Sequence, residues 1–156
     1  MTAPADGLPR DGQTGYFVNV ASGEVLDVER WLVDRNGAPV QVWHRKSTDV
    51  LNQQWLVREL ADRAFAISPL SGPGKNLEQM TWPARYGIPD STAQWESHGR
   101  ASQLWSLMAA VDGVFEIVNQ GSGGSITFAG HGKRLLVNAR VPGEASRLWR
   151  FAPVTD

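Results

Sequence analysis

The 156-residue chain contains no cysteine, which excludes disulfides, thiolate metal sites and cysteine nucleophiles and leaves burial to hold the fold. It also lacks any run of roughly 18 apolar residues, the length a membrane-spanning helix needs. Neither sign of charge is in excess, since 15 Lys and Arg stand against 16 Asp and Glu. A net charge of -1 offers no long-range attraction for a phosphate backbone or an anionic bilayer, so neither nucleic acid nor membrane insertion is expected. Met1 to Gln13 has Pro4, Asp6, Gly7, Pro9, Arg10 and Asp11 and no apolar h-region, so residues 1–13 read as a flexible N-terminal tail. The chain as given thus reads as cytoplasmic, with secretion left open to a protein whose signal has been removed.

Catalytic groups are equally sparse. The three histidines, His44, His98 and His131, lie far apart, and no H-x-x-x-H, H-E-x-x-H or G-x-S-x-G spacing occurs. Metal and triad chemistry lack their parts, so no metal, no cofactor and no catalytic residue is expected. Glycoside hydrolysis needs two acids about 5–9.5 Å apart. Asp27 has Glu24 and Glu29 nearby, but strand alternation and turn solvation make these an ordinary polar edge. Gly121-Ser122-Gly123-Gly124-Ser125 resembles a phosphate loop only in glycine content, lacks a following G-K-[ST], and reads as a turn.

What the chain does have is turn formers and tryptophan. Sixteen Gly and nine Pro, with 42% hydrophobic and 20% charged residues, describe a folded, turn-rich chain. The seven tryptophans, at 31, 43, 55, 82, 95, 105 and 149, repeat in their spacing, and so do their surroundings. A first copy runs from Phe17-Val18-Asn19 through Ser22-Gly23, Leu26-Asp27-Val28, Asn36-Gly37 and Gln41-Val42-Trp43 to Gln53-Gln54-Trp55. Offsets of 49 to 52 residues recover Ala66-Ile67-Ser68, Ser71-Gly72, Leu77-Glu78-Gln79, Trp82 under Trp31, Trp95 and Gln103-Leu104-Trp105. An offset of 100 recovers Ile117-Val118-Asn119, Ser122-Gly123 and Ile126-Thr127-Phe128, and a deletion then brings Arg147-Leu148-Trp149 into line. The repeats span about 14–61, 62–111 and 112–154.

Apolar stretches within each copy are short and bounded by turn formers, as in Tyr16–Val20, Gly37–Trp43, Ala64–Ile67 and Gly113–Val118. This indicates an all-β fold. The longest helix candidate, Asn52 to Phe65, reads as strand, turn at Asp62-Arg63, and strand; its partner segment has a clearer turn at Asp112-Gly113. Propellers of such repeats typically need four or more blades. Three four-stranded units instead close on a pseudo-threefold axis and leave no open edge. The expected architecture is a single β-trefoil over 14–154.

Gln53-Gln54-Trp55, Gln103-Leu104-Trp105 and the degraded Arg147-Leu148-Trp149 resemble the Q-x-W repeats of ricin B-type lectins, over about residues 14 to 154. The resemblance implies a carbohydrate-binding lectin domain with up to one shallow pocket per repeat. In that family a binding repeat has an Asp just after a Leu, a Gln-x-aromatic segment, and an Asn before Q-x-W. The first repeat matches with Asp27, Gln41, Trp43, Asn52 and Gln53. The second keeps Glu78, Trp95 and Gln103 but has Ala93 and Ser102 for the other two, which makes it the candidate second site. The third has Thr127, Leu136, Asn138, Ser146 and Arg147 and is not expected to bind. Family members commonly carry cysteines in the repeats, and this chain departs from that.

These residue types suit a sugar. A pyranose has hydroxyls around its rim and, in galactose-like sugars, an apolar C–H patch on one face. Trp43 would supply a flat platform, Asp27 would accept charge-assisted hydrogen bonds from hydroxyls, and Asn52 offers both a donor and an acceptor. Each has a structural alternative: Trp43 as barrel packing, Asp27 as acceptor for main-chain amides near Arg30, and Asn52 as a turn cap. Gln53, Gln103 and the Q-x-W tryptophans recur even where the polar set is lost, which points to the core. The implied ligands are galactose, N-acetylgalactosamine or xylose-type glycans, and residues between Glu29 and Asn36 would decide among them. The alternative function is a β-trefoil that binds protein, such as a protease inhibitor or scaffold. A lone site is weak, so oligomerisation or membership of a larger protein would supply avidity.

Overall fold

The structure, a computed structural model, describes residues 7–60 and 63–154. Each third of the chain folds into four strands. The first has β1 (Thr14–Asn19), β2 (Val25–Val28), β3 (Val40–Trp43) and β4 (Trp55–Glu59). The second has β5 (Phe65–Pro69), β6 (Lys75–Met80), β7 (Ser91–Glu96) and β8 (Trp105–Ala109). The third has β9 (Phe115–Asn119), β10 (Ser125–Thr127), β11 (Leu136–Asn138) and β12 (Trp149–Pro153). Val40-Gln41-Val42-Trp43 alternates buried and half-buried side chains, as a strand with one face on a core must. Among the described residues the only helical pieces are three-residue 3-10 turns.

The pairings close a barrel. β1 pairs with β4, β4 with β5, β5 with β8, β8 with β9, β9 with β12, and β12 returns to β1. Closure is what removes the exposed edges that a flat sheet would present. The other six strands form three hairpins, β2–β3, β6–β7 and β10–β11. These meet each other through Pro39 with Ala93, Leu136 with Ser91, and Gln41 with Arg134. A six-stranded barrel capped by three hairpins is the β-trefoil.

The segment from Asn52 to Phe65, read as strand, turn and strand, has β4 and β5 in register from Trp55–Pro69 to Glu59–Phe65. Arg63 has φ 59°, while Asp62 lies outside the described residues. In the partner hairpin Asp112 and Gly113 have φ of 57° and 76°, the two consecutive positive angles that a tight type I′ turn demands.

Trp55, Trp105 and Trp149 are fully buried among Phe17, Phe115, Leu26, Leu77 and Ile126. Their indole N–H groups donate to equivalent carbonyls: Leu26 O (3.0 Å), Leu77 O (3.0 Å) and Ile126 O (3.3 Å). A buried indole needs such a partner, and here each of the three tryptophans ties a barrel strand to the hairpin of its own repeat. Of the expected tail, residues 1–6 lie outside the described residues. In the remainder Leu8 packs on the core, Gly12 N donates to Val57 O, and Asp11 Oδ1 accepts from Glu59 N. No helix among the described residues is long and apolar enough to cross a membrane.

Candidate functional site

The hairpin register sets the site. β2 and β3 place Asp27 opposite Gln41 and Val25 opposite Trp43. The same register places Glu78 opposite Ala93 and Asn76 opposite Trp95, and Thr127 opposite Leu136 and Ser125 opposite Asn138. The repeat alignment read from the sequence therefore holds position by position.

Asp27 is 2% exposed, and three side-chain amides hold its carboxylate. Gln41 Nε2 donates to Oδ1 (3.2 Å), while Asn52 Nδ2 (3.3 Å) and Gln53 Nε2 (2.9 Å) donate to Oδ2. A carboxylate offers about four acceptor positions, so Oδ1 keeps capacity for an outside donor. Burial pushes the Asp27 pKa above the ordinary aspartate value, against the opposing pull of the Gln53 and Gln41 hydrogen bonds and of Lys46 and His44. The partners are side chains rather than turn amides.

Asn52 has less freedom than its residue type suggests. Its Nδ2 is taken by Val28 O (2.9 Å) and Asp27, and its Oδ1 accepts from Lys46 Nζ at 2.6 Å. Lys46 has three donors, so it can take over the donating role toward a ligand. Gln53 is fully buried behind the carboxylate. Besides Asp27 it donates to His44 O (2.9 Å) and accepts from Lys46 N (2.9 Å), so it sets the acid and the strand end rather than facing outward.

A cavity of about 430 Å³ opens over this set, with Asp27, Gln41, Trp43 and Asn52 in its lining. Four of the five first-repeat candidates thus share one cavity, and the fifth supports it. Trp43 is half-buried, and the imidazole of His131 stacks on it at 4.4 Å and 29°. The lining also includes Glu29, Arg30, Trp31, Lys46 and Gly132, which the repeat pattern did not single out. Gly132 comes from the third repeat, and a Cβ there would stand 3.0 Å from the Trp43 ring. No spacing in the sequence signals that approach. Trp31 carried a faint signal in its match to Trp82, without any hint of exposure.

The second candidate site has a different set of partners. Glu78 Oε1 accepts from Gln103 Nε2 (2.8 Å) and lies 2.8 Å from His98 Nε2. Gln103 repeats the behaviour of Gln53, donating to Glu96 O and accepting from His98 N. Trp95 sits next to Gly37 of the first repeat, its ring 3.6 Å from where a Cβ would be. In the third repeat Thr127 Oγ1 is turned to Ser125 O and Arg147 Nε to Ala139 O. Among the described residues no group of three or more His, Cys, Asp or Glu could hold a metal ion.

No protein-family profile and no curated protein matches the chain. Solved structures do. The designed 3-fold symmetric protein ThreeFoil superposes with a TM-score of 0.77 at 24% identity, over 90% of this chain and 99% of its own. The Polyporus squamosus lectin, bound to the epitope Neu5Acα2-6Galβ1-4GlcNAc, gives 0.74 at 14% identity, over 92% of this chain and 50% of that one. An exo-β-1,3-galactanase from Clostridium thermocellum gives 0.75 at 22% identity, over 94% of this chain and 31% of that one. This chain therefore spans about half the length of the lectin and about a third of that of the galactanase. The chain is a β-trefoil, and lectins of that fold are among the structures it is similar to.

Proposed function

We propose that this chain is a carbohydrate-binding module that holds a glycan of galactose, N-acetylgalactosamine or xylose type in the first-repeat cavity, without turning it over. The observation that carries the reading is a buried carboxylate with spare acceptor capacity, Asp27, beside the indole of Trp43 in one cavity. Keeping such a charge buried costs stability, and three amides are spent on orienting it. A sugar supplies what the cavity lacks: a hydroxyl to donate to Asp27 Oδ1, another to accept from Lys46, and C–H groups for the indole. The similarity to the Polyporus squamosus lectin supports the same reading. A site at Glu78, Trp95 and Gln103 is a weaker proposal, because Ala93 and Ser102 stand where the first repeat has Gln41 and Asn52.

The test is retention on galactose-bearing and xylan-bearing resins, with a glycan array beside it. Wild type should be retained and released by free sugar, and Asp27→Ala should pass through with its circular dichroism unchanged. Retention that survives Asp27→Ala, or capture of a protein partner insensitive to sugar, would overturn the assignment.

A further inference from the structure

Trp31 is 78% exposed yet lines the same cavity as Asp27 and Trp43. We infer that the first-repeat site takes at least two consecutive sugar rings, with Trp31 as the platform for the second, so that its ligand class is an oligosaccharide chain. This rests on the carbohydrate-binding reading of the cavity and extends it.

A single exposed indole on a surface is ordinary; this one lines the cavity and stands on a loop tied to the second repeat. The guanidinium of Arg30 lies 5.0 Å from its ring centroid, and Arg30 is anchored by Asp49 at 2.9 Å. The loop that carries it is fastened from the second repeat: Gln94 Nε2 donates to Val33 O and Arg35 O, both at 2.8 Å. Asn36 Oδ1, at the end of that loop, accepts from Glu96 N at 2.9 Å. Trp43 is backed in the same manner, by His131, itself fixed to Glu24 at 2.6 Å. Each of the two rings thus has on one side a neighbour that is itself paired with a carboxylate.

Size agrees. Cavities of about 300–1,000 Å³ hold drug-sized ligands, and about 430 Å³ exceeds what a dozen heavy atoms require. The comparison between repeats agrees as well, because Trp82, which stands under Trp31 in the second repeat, is half-buried rather than exposed. The exposed ring belongs to the repeat that keeps the polar set.

The experiment is isothermal titration of galactose against lactose, and of xylose against xylobiose and xylotriose, into wild type, Trp31→Ala, Trp31→Tyr and Asp27→Ala. Expected is a disaccharide that binds wild type about tenfold or more tighter than its own monosaccharide, since a second ring adds about a dozen contacting atoms. Trp31→Ala should erase that advantage while leaving the monosaccharide within about twofold, and Trp31→Tyr should restore most of it. Equal affinity for mono- and disaccharide, or a Trp31→Ala variant that weakens both alike or neither, overturns the inference while the site itself stands. Binding of every sugar untouched by Asp27→Ala, or no binding by wild type of any of these sugars or of N-acetylgalactosamine titrated beside them, overturns the parent reading.

Discussion

Asp27 is where stability and binding pull apart. Its pKa is raised because burial penalises the charged form, only partly offset by Gln53, Gln41, Lys46 and His44. For a carboxyl raised in this sense, the stabilising contribution is complete below the unfolded-state pKa and is lost as pH rises through the folded value. The charged form needed to accept a hydroxyl is thus the one that strains the fold. A carbon-13 titration should place the Asp27 midpoint above the ordinary aspartate value, and glycan affinity should fall as pH drops through that midpoint. A midpoint at or below the ordinary value would contradict the burial argument. Trp43→Ala should weaken sugar binding by about tenfold or more with a small change in melting temperature, since the ring is half-exposed and acts as a platform. The resemblance to ricin B-type repeats, with the chemistry of these residue types, pointed to Asp27, Trp43 and Asn52. That Asn52 spends its donors on Asp27 and Val28, and that Lys46 stands ready in its place, followed only from side-chain geometry.

At the scale of elements, each Q-x-W glutamine does the same work in two repeats. Gln53 and Gln103 each join the acid of the hairpin to two main-chain groups at or just past the end of its second strand. Removing either should cost about 1–3 kcal/mol, because buried groups lose their partners. Urea denaturation should show matching losses for Gln53→Ala and Gln103→Ala, while only Gln53→Ala should lose sugar affinity. Affinity lost from both variants would argue that the second repeat binds too. The hairpin turn at Asp112-Gly113 gives a separate test. A Cβ at Gly113 meets nothing closer than 3.8 Å, so Gly113→Ala should cost about 1–2 kcal/mol from the positive φ alone. That turn was legible because Asp-Gly has few conformational uses. The fastening of the Glu29 to Asn36 loop by Gln94 was not, since those partners lie 59 to 61 residues apart in the chain.

For the molecule as a whole, the three indoles at the barrel centre should be equivalent. Truncating Trp55, Trp105 or Trp149 to Ala should each cost roughly 3–5 kcal/mol, read as matching losses of melting temperature. One that unfolds the protein far less than its partners would break the threefold picture. Without oligomers or a host protein, a monosaccharide of about a dozen heavy atoms should bind with a dissociation constant near millimolar, so biological affinity rests on longer chains or on linked copies. The sequence by itself determined the threefold plan, because identical local problems, a short strand, a glycine turn and a buried indole, recur at matching spacing and each admits one solution. Through the resemblance to ricin B-type lectins it also marked Asp27 and Gln41 in the first repeat and their replacement by Glu78 and Ala93, and by Thr127 and Leu136, in the others; that the two face each other across the hairpin is the structure's finding. Only the tertiary structure decided which indoles are buried and which stand open, and which side chains from other repeats brace them. His131, Gly132 and Gln94 reach the first-repeat site through closure of the barrel and its cap, and such proximity depends on packing between distant segments that no local spacing encodes.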